Sequence, residues 1–223
     1  MRIRISLAGT ATAILLLSTV ALAQFGARMP SMSGVLSPTV GDGAAYEMTS
    51  NRENKKQQME VAITGKEEYQ GKTGYWMEYS FVDPKQGPIA SKMMISMTGD
   101  QSTTMRMVMR MGTEVVEMDM NMPMMQNSQK TSSTDIRQKA VRVGTESITV
   151  PAGTFSCEHW KMNDGTGDAW ISEKVHPFGL VKSVSKDSTM VLVRQITDAK
   201  TKLPPPYKKF DMQEMMRQSQ QHP

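Results

Sequence analysis

Residues 93–125 read MMISMTGDQSTTMRMVMRMGTEVVEMDMNMPMM and hold twelve methionines in thirty-three positions. Met105, Met107, Met109 and Met111 recur at every second residue, as do Met118, Met120, Met122 and Met124. A period of two belongs to an extended strand, in which successive side chains project to opposite faces. Each run therefore predicts a strand with thioethers on one side and Arg106 and Arg110, or Glu117 and Asp119, on the other. Met93, Ile95 and Met97 repeat the pattern over 91–98. Gly112-Thr113 lies between the two main runs and reads as a hairpin connection, with glycine available for φ > 0.

The same alternation extends outward in both directions. Strands are predicted over 44–50, 58–64 and 75–82, where Met59, Val61 and Ile63 share one face and Tyr75, Met77, Tyr79 and Phe81 another. Two prolines and a glycine make 83–88 a loop, Pro123 ends the second methionine strand, and 126–133 is polar and loop-like. Further strands are predicted over 136–143, 146–150, 154–162, 168–172, 180–185 and 190–197. About ten short strands joined by short turns give an antiparallel meander, which closes into a barrel, folds as a sandwich or curves around a helix. Asp211 with Glu214 three residues later forms a capping-box pattern for a short C-terminal helix through Gln218, set apart by the stiff Leu203-Pro204-Pro205-Pro206 connector.

The N-terminus, MRIRISLAGTATAILLLSTVALAQ, runs from two arginines through a short apolar stretch to Ala21-Leu22-Ala23. That order of charge, apolar core and small residues reads as a secretory signal peptide cleaved near Ala23, which places the mature chain in the periplasm or outside the cell. The division expected is 1–23 signal peptide, 24–42 flexible leader, 43–200 antiparallel β domain, and 201–223 Pro-rich connector and helix. No later segment is long and apolar enough to be a membrane helix, so the chain is not expected to be an integral membrane protein. Removing Arg2 and Arg4 lowers the formal net charge from +4 to +2, and the remaining cations are scattered among acids, so no nucleic acid partner is expected. Cys157 is the only cysteine, which excludes an internal disulfide. Beyond residue 23 there are four leucines, Leu36, Leu180, Leu192 and Leu203, against twenty-two methionines. Methionine has taken the place of leucine in the apolar inventory.

The stretch ESITVPAGTFSCEHWK at 146–161, followed by DAWISEKVHPFGLVK at 168–182, is similar to a pattern of exported bacterial domains. In it a strand, a VPAGTF turn, a second strand, a tryptophan strand and a P-x-G-L-V-K strand come in order. The pattern resembles the superfamily of the lipoprotein carriers LolA and LolB and covers about the C-terminal half of the mature chain. The resemblance implies a mainly β fold, a strongly curved antiparallel sheet or incomplete β-barrel, with an apolar concave face that in the carriers holds acyl chains. It implies no catalysis.

The function expected is therefore a non-enzymatic exported binding protein with a Met-lined apolar face for a lipid-like or other hydrophobic ligand. Met93, Ile95, Met97, Met105, Met107, Met109, Met111, Met118, Met120 and Met122 are its candidate lining residues. A plain methionine core is the competing reading, since apolar stripes usually pack inward. A second alternative is Cu(I) or Ag(I) bound by the soft thioethers of Met118, Met120, Met122, Met124 and Met125. A third is a structural or interaction module docking on an envelope protein. No cofactor is expected, and the oligomeric state is not fixed by the sequence. Cys157 and His159 share a strand face, but no acid partner is placed beside them by sequence, so they are read as a structural cysteine and an ordinary histidine. Asp164-Gly165-Thr166-Gly167-Asp168 lacks the calcium-loop ligand series and reads as a turn.

Overall fold

The computed structural model describes residues 35–83, 87–99, 101–111, 114–120, 132–133 and 136–211. The signal peptide, most of the leader, Gly112-Thr113, Met122, Met124, Met125 and the C-terminal helix all fall outside this set. Among the described residues no helix is long and apolar enough to cross a membrane.

Strands dominate because the chain alternates almost throughout. The first six are β1 (Gly43–Ser50), β2 (Lys56–Tyr69), β3 (Lys72–Asp83), β4 (Gly87–Thr98), β5 (Gln101–Met111) and β6 (Glu114–Asp119). After the two-residue β7 (Ser132–Ser133) and a 3-10 turn, Ile136–Gln138, come β8 (Ala140–Val150), β9 (Gly153–Met162) and β10 (Gly167–Ile171). β11 (Leu180–Ser185), β12 (Ser188–Ile196) and the two-residue β13 (Lys208–Lys209) complete the set. All belong to one sheet in the order β13-β6-β5-β4-β3-β2-β1-β12-β11-β10-β9-β8, with β7 on β5. The sheet is open and strongly curved, as expected. It consists of two meanders joined by the antiparallel β1–β12 ladder. Curvature brings β8 back within reach of β11 and β12, and the Ala152 N–H at the tip of the β8–β9 hairpin donates to the Leu192 carbonyl at 3.4 Å.

Two sequence expectations need adjusting. The strands expected at 136–143 and 146–150 are a 3-10 turn anchored by buried Ile136 followed by one strand, β8. Gly144 does not break the ladder; a register shift between Arg142 and Gly144 absorbs the irregularity as a bulge. The VPAGTF turn does form between β8 and β9, where Gly153 adopts φ +128°, a conformation that residues with a Cβ rarely take.

The core is continuous across the junction of the meanders. Ala44, Tyr46, Val61, Ile63, Met190 and Leu192 are buried there. The Tyr46 hydroxyl donates to the Leu180 carbonyl at 3.0 Å, tying β1 to β11. Burial pushes that phenol well above the ordinary tyrosine range, with neighbouring Tyr79 adding to the effect, so the group stays a donor. With each buried polar atom bonded, the junction carries no unsatisfied group among the described side chains.

Candidate functional site

The first meander presents two chemically different faces, and the ladder registers define both. On one face Ile63 is opposite Met77, Met77 opposite Met93, Met93 opposite Met107, and Met107 opposite Met118. Four methionines thus stand in one row across β3, β4, β5 and β6, a span of about 14 Å at the ordinary strand spacing. The adjacent row is Val61, Tyr79, Ser91, Met109 and Val116. Met77 and Met118 are buried, whereas Met93, Met107 and Met109 between them are half-buried. The Tyr79 hydroxyl donates to the Met77 sulfur at 3.4 Å, and burial raises its pKa so that the proton stays on.

Not every sulfur of the expected wall joins this face. A bulge in β5 sets Arg106 opposite Met94 and Thr104 opposite Ile95, leaving Met105 as the extra residue. Met105 consequently packs with Trp76, Met94, Val108 and Leu203 on the opposite face, away from Met107 and Met109. Gly74 makes this packing possible, because a Cβ there would sit 2.6 Å from Met94 Cγ and 2.8 Å from Met105 Cε. Ile95 is buried and Met97 half-buried on β4, Met111 closes β5 opposite Glu114, and Met120 is buried in the turn after β6. Of the candidate soft-metal ligands only Met118 and Met120 lie within the described residues.

The second face sets charged residues around that apolar cluster of Trp76, Met94 and Met105; Arg106 and Glu117 fall there as the alternation predicts, whereas Glu78 and Lys92 are not singled out by the sequence. Glu78 and Lys92, opposite one another on β3 and β4, are each only 4% exposed. Residues 199–209 cross this face as an extended strap. The Thr201 hydroxyl donates to Glu78 Oε2 at 2.6 Å, and the Lys202 N–H to Glu78 Oε1 at 2.8 Å. Lys92 Nζ donates to the Thr201 hydroxyl at 3.3 Å and lies 4.8 Å and 5.1 Å from the centres of the Trp76 and Tyr207 rings. The Arg106 guanidinium stacks over Tyr69 and Trp76 and is bonded to both Glu67 and Glu117. Lys209 completes the group by bonding Glu117 from the end of the strap.

Electrostatics on this face follow from that geometry. Burial alone would raise the Glu117 and Glu60 carboxyls, but hydrogen bonds and charge from Lys209 and Arg106, and from Lys202 and Arg194, outweigh it and hold both below the ordinary range. Burial pushes the Lys92 ammonium in the destabilised direction, below the usual lysine range, with Glu78 opposing the shift. A carboxyl depressed in the folded state stabilises the fold above its unfolded pKa of about 4.3, and that contribution is lost as pH falls through the folded value. Acidification below about pH 4 is therefore expected to loosen residues 199–209 before the sheet unfolds. Amide exchange followed by mass spectrometry checks this: faster exchange confined to the strap is the expected result, and uniform protection down to global unfolding is the contrary one.

The second meander carries His159. His159 Nδ1 lies 2.7 Å from Glu146 Oε1 and Nε2 lies 2.8 Å from Asp168 Oδ1, on neighbouring strands. Its ring stacks on Trp170 with centroids 4.5 Å apart, and Trp170 Nε1 donates to Glu146 Oε2 at 3.1 Å. The hydrogen bonds from Trp170 and then His159 hold the Glu146 carboxyl below its usual range. Cys157 is buried; burial first, and the Glu146 charge second, push its thiol up to about 11. The thiol donates to the Phe155 carbonyl at 3.6 Å and not to His159, so no thiol–imidazole pair forms. Asp164 accepts from the N–H and hydroxyl of Thr166 at 2.9 and 2.7 Å, which makes the Gly-Asp segment the expected turn between β9 and β10.

No family model matches the chain, and no curated protein matches it either. Solved structures do. A candidate lipoprotein from Parabacteroides distasonis aligns at 14% identity and a TM-score of 0.39, covering 73% of this chain and 98% of its own. A candidate exported protein with a YmcC-like fold from Bacteroides fragilis aligns at 12% identity and a TM-score of 0.39, over 73% and 99%. MucB aligns at 9% identity and a TM-score of 0.42, over 84% of this chain and 63% of its own.

Proposed function

We propose that the chain is a non-enzymatic exported binding protein that holds an acyl chain, or another extended hydrophobic ligand, against the apolar face of its first meander. The observation that carries this reading is the unbroken row Met77–Met93–Met107–Met118, with its middle members half-buried. Thioethers suit such a surface because they are apolar, polarizable and conformationally adaptable. Each methylene of a ligand that is desolvated there contributes about 0.8 kcal/mol, so even a short acyl segment along the row gives useful affinity. Export is supported by the signal-like first 23 residues.

The test is native mass spectrometry of protein purified from its own host, followed by displacement of a fluorescent fatty acid. The expected result is a co-purifying lipid mass and saturable displacement. Met107→Asn, which puts an amide in the middle of the row, is expected to weaken displacement about tenfold or more, because an unpaired polar group in an apolar contact costs about 1–3 kcal/mol. Val141→Asn, at an exposed position of β8, is expected to leave it unchanged. A clean apo mass with no displacement removes the proposal. Equal affinity for Met107→Asn and the parent chain moves the ligand off the row.

A further inference from the structure

The strap over this face is attached in an unusual way for a segment that follows the last long strand of an antiparallel sheet. It belongs to no hairpin and ends in a two-residue parallel ladder, Lys208 and Lys209 against Val116 and Glu117. That is the geometry of an extended segment added to a sheet edge. Its recognition elements are few. Leu203, 1% exposed, fills a pocket made by Trp76, Met94, Met105 and Val108. Lys202 bonds Glu60 and Ser80, Lys208 pairs with Glu114 at 3.2 Å, and Lys209 bonds Glu117.

Three observations make this segment separable from the groove beneath it. The floor holds Glu60, Glu78, Lys92, Arg106 and Glu117, all of which water solvates if the strap lifts, so separation exposes little beyond the Leu203 pocket. A cleft of about 130 Å³ lined by Glu60, Glu78, Ser80, Arg194, Ala199 and Lys202 lies where the strap enters, so the contact is incompletely filled there. The bend into the strap passes through Asp198 at φ +57°, a left-handed conformation that glycine takes freely and Asp at a small cost, and is held by the Ala199 N–H donating to the Gly41 carbonyl at 2.8 Å. A short bend that retains some backbone strain is an arrangement from which chains exchange segments.

We propose that the groove on the polar face is a docking site for the same segment in trans: residues 199–209 of a second copy, in a reciprocally exchanged dimer. Complementarity already displayed in cis points to a second copy as the occupant. Lysines flank a leucine and three prolines in the strap, and acids flank an apolar pocket in the groove. Every contact made within one chain is remade between two, while the Asp198 reversal relaxes, so exchange loses no contact energy. The prolines restrict the free strap and reduce the entropy lost on docking.

The test uses the full chain. Tagged and untagged copies are mixed at high concentration, then analysed by light scattering and by capture on the tag. The expected result is a dimer mass with untagged chain in the captured fraction, and a several-fold smaller dimer fraction for Asp198→Gly, which accepts positive φ without strain. In parallel, a fluorescent peptide of residues 199–209 is titrated onto the parent chain and onto Leu203→Ala. The variant is expected to bind it about tenfold tighter, because its own strap leaves the groove open more often. Lys209→Ala, at an exposed position, serves if Leu203→Ala does not fold. A chain that stays monomeric at every concentration overturns the proposal, as does a dimer whose amount is indifferent to Asp198→Gly and to added peptide. Peptide binding without dimer formation also overturns it, by making a foreign segment the occupant. None of these readouts depends on the apolar face.

Discussion

Glu117→Ala is expected to cost about 3–5 kcal/mol of folding stability, the range measured when one partner of a buried ion pair is removed. The magnitude follows from what the carboxylate does. Its side chain is 4% exposed on the polar face of β6, and it accepts from the Arg106 guanidinium and from Lys209. Removing it leaves Arg106, itself only 14% exposed, with Glu67 and two aromatic rings as partners. It also unfastens the end of the strap. A urea titration reads the loss as a fall in midpoint, and Glu117→Gln, which keeps the acceptor oxygen without the charge, is expected to fall between the two. The sign of the pH dependence supplies an internal check. Because the Glu117 carboxyl is held below its ordinary range, the parent chain loses stability on acidification, and the variant is expected to lose correspondingly less over the same window. A loss of folding free energy below about 1 kcal/mol would show that the pair contributes no more than exposed ion pairs do.

How much of this was readable beforehand depends on which face is considered. The apolar face is written in alternation: Met59, Val61 and Ile63, then Met77 and Tyr79, then Met93 and Ile95, recur at period two, and their strands form where that period predicts. Those periods predict an antiparallel meander without choosing among barrel, sandwich and curved sheet; the open, curved form is what the resemblance carried by 146–182 implies. The bulge at Met105 was not readable, because a bulge is a property of two strands in register and Met105 obeys the same period as Met107. It took the structure to show that one methionine of the run packs on the other side. The polar face was half legible. Arg106 and Glu117 fall opposite the methionine stripes in the sequence, but their pairing across β5 and β6 depends on register. Glu78 and Lys92 look like solvated strand residues until the strap covers them. The strap itself reads as a proline-stiffened connector, since nothing local to Leu203 indicates that its pocket lies more than ninety residues earlier in the chain. For the same reason the sequence places no acid beside His159: Glu146 and Asp168 come from the strands on either side.

Trp76→Ala is expected to destabilise by about 3–5 kcal/mol, the usual cost of truncating a large buried aromatic side chain. Its effect should be confined to one face. The indole is the common wall of the polar side: Leu203, Met94 and Met105 pack against it, Lys92 and Arg106 lie over its ring, and its Nε1 donates to Glu67 at 3.1 Å. Deleting it removes the Leu203 pocket and one seat of each cation together, so the strap should lose protection far beyond the global change. Trp76→Phe separates these contributions. A phenyl ring retains apolar contact and a weaker seat for the cations but cannot donate to Glu67, and it is expected to cost about 1–2 kcal/mol, from the lost hydrogen bond and reduced packing. The neighbouring residues of β3, Tyr75 and Met77, project from the opposite face. Displacement of a fluorescent fatty acid should therefore survive Trp76→Phe with its affinity unchanged while amide exchange in 199–209 quickens. If the two readouts fall together, the faces are coupled through β3, and the strap and the methionine row belong to one binding event instead of two.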